Sequence, residues 1–296
     1  MSKKTFDAGS LPSMRGRTVV VTGASRGIGA VTARELARVG AHVVLAVRDA
    51  GRGEAAAGTM PGSTEVRVLD LADLRSVRAF AAQWDRPLDS LINNAGVMAI
   101  PRRESAQGFE MQLATNHLGP FALTNLLLPR ITDRVVTVSS NAHRRPGVAI
   151  DFDDINSTVD YRPWRAYQQS KLANLLFTRE LQRRLTRAGS GVTAHAAHPG
   201  YSATNLQSRT ASPVQRMILA VTNRVLAQPP ETGALPVLYA ATQPLPGASY
   251  TGPDGREELR GRPAPARLSP AATDDVDAER LWQLSEQLTG VRFPLA

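Results

Sequence analysis

Thr18-Val19-Val20-Val21-Thr22-Gly23-Ala24-Ser25-Arg26-Gly27-Ile28-Gly29 is the stretch on which the reading of this chain turns. Five β-branched residues in succession suit a strand buried on both faces. Glycines spaced Gly-x-x-x-Gly-x-Gly follow, and Ile28, Val31, Leu36 and Val39 then recur on one helical face. A strand, a glycine turn and a helix N-terminus in that order can receive a phosphate, because glycine allows close backbone approach and the first helical N–H groups have no partner in the helix. In that context Gly23, Ser25, Arg26, Gly27, Ile28 and Gly29 are predicted to cradle a dinucleotide, whereas the glycine spacing alone is weak evidence that a plain tight turn would also satisfy.

Outward from this stretch, apolar strand-like runs alternate with helix-period segments. His42 to Val47, Val66 to Leu69, Leu88 to Asn93, Val135 to Val138, Val192 to Ala197 and Ala248 to Thr251 read as strands. Helices are expected over Ile28 to Val39, Leu74 to Trp84, Phe109 to Leu128, Tyr167 to Leu185 and Asp274 to Leu288. The alternation predicts an α/β fold: one doubly wound, Rossmann-type parallel sheet with helices on both faces and strand order 3-2-1-4-5-6-7. Residues 1–15 read as an N-terminal tail and 16–296 as a single domain, with 201–230 as a substrate lid and 141–166 as an extended loop near the cleft.

Composition excludes several functions. The 296 residues carry 35 Lys+Arg against 26 Asp+Glu, a net charge of +9. Lysine occurs only at Lys3, Lys4 and Lys171, so 35 − 3 = 32 of the basic residues are arginine. They are scattered, with runs no longer than pairs such as Arg102-Arg103, which argues against nucleic-acid binding. With no cysteine there is no disulfide framework, thiolate nucleophile or Cys-ligated metal site. His143, His195 and His198 show no metal-ligand spacing, so no metal is expected. The N-terminal stretch is polar, and no apolar run is long enough to span a bilayer. The expectation is a cytoplasmic protein acting on a small molecule, without membrane insertion.

Cofactor preference is read at the end of the second strand. An Asp or Glu there would hold a free ribose 2′-OH. Here Val47 occupies that place and Arg48 follows, with Arg26 nearby in the glycine turn. Two guanidiniums suit a 2′-phosphate, so NADP(H) is predicted over NAD(H), although Asp49 is also near enough to reach the ribose. Farther on, Tyr167-Gln168-Gln169-Ser170-Lys171 places a tyrosine and a lysine one helical turn apart. A phenol titrates near 10, and a neighbouring ammonium would stabilise its anion. Tyr-x-x-x-Lys is a common pair on exposed helices, but this is the one lysine outside the N-terminal segment.

Taken together these motifs resemble the short-chain dehydrogenase/reductase family. Thr22 to Gly29 resembles its cofactor turn, Asp70-Leu71 its adenine-side acid, and Asn93-Asn94-Ala95-Gly96 its Asn-Asn-Ala-Gly turn. Asn116 stands where the family has its helix asparagine, Val138-Ser139-Ser140 resembles its serine strand, and Pro199-Gly200 with Thr204 resembles the segment over the nicotinamide. Ala46 to Asp49, Asn116 to Phe121, Ser140 to His143 and Ser170 to Asn174 are similar to the retinol-dehydrogenase and protochlorophyllide-reductase-like branch. Family members often pair through the helix after the tyrosine, which makes a homo-oligomer a further expectation.

The resemblance implies a catalytic set of Asn116, Ser140, Tyr167 and Lys171, with Tyr167 moving the substrate proton, Lys171 on the ribose and lowering the Tyr167 pKa, and Ser140 on the substrate oxygen. Asn116 would fix a helix kink and a water joining Lys171 to solvent. Ser139 is the rival of Ser140 and is better explained as a backbone-bonded strand end. Cofactor contacts are expected from the glycine turn, Arg48, Asp70, Leu71, Asn93, Ala95, Gly96, Tyr167, Lys171, Pro199, Gly200 and Thr204. Between Ser140 and Tyr167 lie about twice the family's usual number of residues. Met217 to Val221 reads as an apolar cover suited to a lipophilic substrate, as does ordinary packing. The implied activity is hydride transfer between NADP(H) and a carbonyl or alcohol. Reduction of an activated C=C bond and a non-catalytic NADP(H) sensor are the alternatives.

Overall fold

A computed structural model of the chain describes residues 6–201 and 228–295. Strands β1 (Thr18–Thr22), β2 (His42–Val47), β3 (Ser63–Val68), β4 (Leu88–Asn93), β5 (Ile131–Val138), β6 (Thr193–Ala197), β7 (Tyr250–Pro253) and β8 (Pro263–Pro265) form one sheet. They hydrogen-bond in the order β3-β2-β1-β4-β5-β6-β7-β8. Strands β1 to β7 pair in parallel, so the expected seven-strand order is present, and β8 adds an antiparallel edge that the Pro/Gly-rich sequence did not announce. An edge strand needs few ladder donors, and the two prolines of β8 therefore fit there.

The β1 side chains show why the sheet is covered on both faces. Successive residues of a strand point to opposite sides. Val19 and Val21 enter one core with α1 (Gly27–Arg38) and, later in the chain, Pro230–Thr242. Val20 enters the other with α3 (Leu74–Ala82), α5 (Gly119–Leu127) and α6 (Pro163–Arg187). Short helices α2 (Ala50–Ala57) and α4 (Met111–Leu113) complete the first half. Pro230–Thr242 is α7 and Asp275–Thr289 is α8. Leu11 and Met14, in the segment read as a tail, are buried in the core that contains α1.

Three details place the site. Pro163 stands at the first turn of α6, where a missing N–H is harmless, so the helix begins one turn ahead of Tyr167. Between α4 and α5 the helix widens into a π turn over Ala114–Leu118, the kink expected at Asn116. Helix α8 packs on α6: Trp282 is stacked on Phe177 at 5.8 Å, meets Phe121 edge-on at 4.9 Å, and has the Arg184 guanidinium 4.6 Å from its ring. Arg179 pairs with Asp275 at 2.5 Å across the same contact. The far half of α6, crowded with arginines, is thus covered by this chain's own C-terminal helix.

Candidate active site

At the carboxyl ends of the strands, β1 has β2 on one side and β4 on the other, and the connections leave in opposite directions. A crevice opens at such a reversal. Thr22 joins the two turns that wall it: its Oγ1 accepts from the N–H groups of Asn94 and Ala95, both at 3.0 Å, and its carbonyl accepts from Asn94 Nδ2 at 2.8 Å. Asn94 packs so closely on the glycine turn that a Cβ on Gly29 would collide with its Nδ2 and lie 2.6 Å from Gly23 O. Glycine at position 29 is therefore a demand of close approach.

The cleft encloses about 740 Å³. Of the residues expected to contact a cofactor, Gly23, Ser25, Arg26, Gly27, Ile28, Gly29, Arg48, Asp70, Leu71, Ala95, Gly96, Tyr167, Lys171, Pro199 and Gly200 all line it. Asn93 does not. It ends β4 with its side chain buried and donating to Thr124 Oγ1 at 2.9 Å, while Asn94, one residue on and facing the other way, lines the cleft instead. Thr204, the Met217 to Val221 run and most of the lid segment lie outside the described residues.

Arg48 is exposed just past β2. Asp49 is already engaged as the N-cap of α2, accepting from Arg52 N–H at 3.0 Å and pairing with its guanidinium at 3.3 Å. Arg52, a residue not singled out from the sequence, also lines the cleft. Short α2, rich in Ala and Gly, carries little helical periodicity, and the arginine on its first turn was hidden with it.

Tyr167, Lys171 and Ser140 also line the cleft. Tyr167 and Lys171 are 7% and 5% exposed, and Lys171 Nζ lies 5.8 Å from the Tyr167 ring centre. Nζ donates to Val138 O at 3.0 Å. Burial pushes the Tyr167 phenol above its ordinary 10, and a hydrogen bond with Ser140 pulls the other way. Burial also draws Lys171 down from 10.5 to about 8. Desolvation outweighs the Ser140 hydrogen bond, so the phenol is raised and not lowered as the neighbouring lysine led one to expect.

Both serines line the cleft, but they differ in exposure and partners. Ser139 is buried, and its Oγ donates to Lys171 O at 2.7 Å, as a strand-end serine would. Ser140 is partly open, lines the cleft, and accepts from Ala142 N–H at 3.2 Å. Asn116 stands behind the cleft. Its Oδ1 accepts from Val97 N–H at 2.8 Å, and its Nδ2 donates to Val97 O and Ser170 Oγ, each at 2.9 Å. Ser170 in turn donates to Tyr167 O at 2.7 Å, so the π turn braces the turn of α6 between the tyrosine and the lysine.

The long segment 141–166 borders the cleft through Asn141, Ala142, Arg145 and Trp164, whose ring meets Tyr167 edge-on at 5.9 Å. Tyr161 anchors its far end, donating to Ile100 O at 2.8 Å and accepting from Gln112 Nε2 at 2.9 Å. Among the described residues no cluster of His, Asp or Glu could hold a metal ion, and no helix is long and apolar enough to cross a membrane.

Comparison with known proteins agrees with this geometry. Residues 17–215 match the family model described as short chain dehydrogenase. Human retinol dehydrogenase 13 is 44% identical over 314 aligned residues, covering 99% of this chain and 91% of its own. A solved structure from Mycobacterium paratuberculosis is 56% identical with a TM-score of 0.86, covering 98% of this chain and all of the other. A structure from Beutenbergia cavernae, described as an NAD(P)-dependent gluconate 5-dehydrogenase and solved with NADP at low occupancy, is 31% identical with a TM-score of 0.59 over 78% of this chain and 91% of the other.

Proposed function

We propose, taking as premise that this chain belongs to the short-chain dehydrogenase family and to its retinol-dehydrogenase-like branch, that it transfers a hydride between NADP(H) and a lipophilic ketone or aldehyde, or the matching alcohol. The observation that carries this reading is the convergence of Ser140, Tyr167 and Lys171 on the same cleft as the glycine turn. That cleft fits a dinucleotide: glycine backbone at one end of a helix, a guanidinium beyond β2, and a buried phenol at the far end.

The nicotinamide, when bound, supplies or accepts the hydride. The protein's part is orientation and proton transfer. Ser140 Oγ donates to the substrate oxygen as its negative charge develops, and the Tyr167 hydroxyl delivers the proton. Lys171, held at the cleft floor by Val138 O, stabilises the phenolate left behind. Asn116 keeps the intervening helical turn in place through Val97 and Ser170. Val97, Met98 and Trp164 give the substrate end an apolar wall, in keeping with a lipophilic substrate. Preference for NADP(H) is supported by Arg26 and Arg48 on the cleft wall.

The experiment is reduced-cofactor consumption, with NADPH and NADH compared across aldehydes, ketones, quinones and enones. Turnover of apolar carbonyls with NADPH is expected. Arg48→Ala should weaken NADPH by about tenfold and leave NADH unchanged, the scale of one hydrogen-bonded charge pair. Faster turnover with NADH would overturn the cofactor reading. Consumption with enones alone would transfer the reading to C=C reduction.

A further inference from the structure

Beyond the residues matched by the family model, the turn Arg256–Glu258 joins β7 toward β8. Glu257 and Glu258 are consecutive non-glycine residues at φ 53° and 54°, in the left-handed region that such residues avoid. Strain of this kind persists where surrounding contacts over-determine it, and it gathers at working sites.

The contacts of Glu258 are unusually complete for a single carboxylate. Its side chain is 9% exposed. Oε1 accepts from Arg144 Nη1, Arg267 N and Arg267 Nε, each at 3.0 Å. Oε2 accepts from His198 Nε2 at 3.1 Å. The tautomer of His198 follows: its Nδ1 accepts from Gly200 N–H at 3.2 Å, so the ring proton sits on Nε2 and points at Glu258. This fully buried imidazole lies against β7, where any side chain in place of Gly252 would collide with its Nε2. Burial alone would raise the Glu258 carboxyl, but His198, Arg267 and Arg144 together hold it near 2, so it stays charged.

The two partners lead to two separate segments that line the cleft. Arg144 closes the short turn Asn141–Arg144 that starts at Ser140. In the same turn His143 Nδ1 donates to Ser140 O at 2.6 Å, while its Nε2 accepts from Ser269 N–H at 3.3 Å. His198 leads into Pro199-Gly200, and Tyr201 N–H adds a bond of 2.8 Å to Leu259 O. Ser140, Gly200 and Leu259 all line the cleft.

We propose that Glu258 is a positioning residue: it ties the turn carrying Ser140 to the segment carrying Gly200, and so sets where the substrate oxygen lies relative to the nicotinamide. The proposal rests on the reading of Ser140 as the group that holds that oxygen.

Glu258→Gln tests it, with Arg144→Gln as a second variant that cuts only the Ser140 arm. Kinetics are taken per folded molecule, alone and in a Ser140→Ala background. A drop in kcat of about tenfold is expected for either variant, with KM for the carbonyl changed by less than about threefold, since small displacements of reacting groups are costly. In Ser140→Ala neither substitution should lower kcat further. Crystal structures of the variants without added cofactor read the same geometry independently of turnover, and the Ser140 turn should move by about 0.5 Å or more relative to Gly200. Unchanged kcat per folded molecule, losses that multiply with Ser140→Ala, or an unmoved turn would overturn the proposal. A wild-type protein inactive on every carbonyl would instead overturn the functional reading, and the structural arm would still decide the role of Glu258.

Discussion

Lys171→Met should make the protein more stable at neutral pH while abolishing turnover. Lys171 is 5% exposed, and its ammonium titrates at about 8 in place of 10.5 because burial disfavours the charge. That displacement corresponds to about 3 kcal/mol at ~1.36 kcal/mol per pH unit. The sign follows from proton counts. Below pH 8 both folded and unfolded chains carry the charge, and the folded one bears the whole desolvation penalty. Between about 8 and 10.5 the unfolded chain holds a proton that the folded chain has released, so wild-type stability rises with pH across that window. Methionine has similar length and no charge to desolvate. The substitution deletes the bond from Nζ to Val138 O, worth about 1 kcal/mol net, but Val138 O keeps Asn174 Nδ2 at 3.1 Å. The expected balance is a gain of about 2 kcal/mol at pH 7, gone or reversed by pH 10. Urea unfolding of both proteins at the two pH values, without added cofactor, measures it. A variant no more stable than wild type at pH 7, or a difference that ignores pH, would refute the desolvation argument.

Tyr167→Phe should lower kcat by about a thousandfold, within the usual range for losing a positioned acid, with folding intact. Steady-state assay beside an unfolding curve checks both. Trp282→Ala removes the ring packed on Phe121 and Phe177 and should cost about 3–5 kcal/mol in the same urea experiment. Asp274 caps α8 by accepting from the N–H groups of Val276 and Asp277, so Asp274→Ala should cost about 1 kcal/mol and leave kcat per folded molecule unchanged.

The strands were legible because parallel strands buried on both faces read as unbroken apolar runs: Val19 to Val21 and Val43 to Val47 could be little else. Asp274 and Gly290 bracket the last helix as cap signals should, with Gly290 in the left-handed conformation at its end. Among the described residues, two helices and a strand escaped. Helix α2 is too short and too poor in large apolar residues to show a period. Helix α7 carries Pro236 inside it, which reads as a breaker. Strand β8 is three residues containing two prolines, and its existence depends on β7 offering an edge.

The site divides in the same way. Motifs that are local in sequence, the glycine turn and Tyr167 with Lys171, were readable because helical and turn geometry fixes neighbours three and four residues apart. The choice of Ser140 over Ser139, by contrast, came from the family resemblance, because both serines follow the end of β5 and both line the cleft.

What the sequence determined by itself was therefore the alternation of strands and helices, the glycine turn at the start of α1, and the helical pairing of Tyr167 with Lys171, because each depends on neighbours a few positions away. What only the tertiary structure decided was how distant segments meet. Asn94 and not Asn93 faces the cleft, and α8 covers the arginine-rich half of α6. Above all, Glu258 reaches Arg144 and His198 across more than a hundred and about sixty residues, respectively. No spacing rule links such positions, since their approach follows from the order in which the strands assemble.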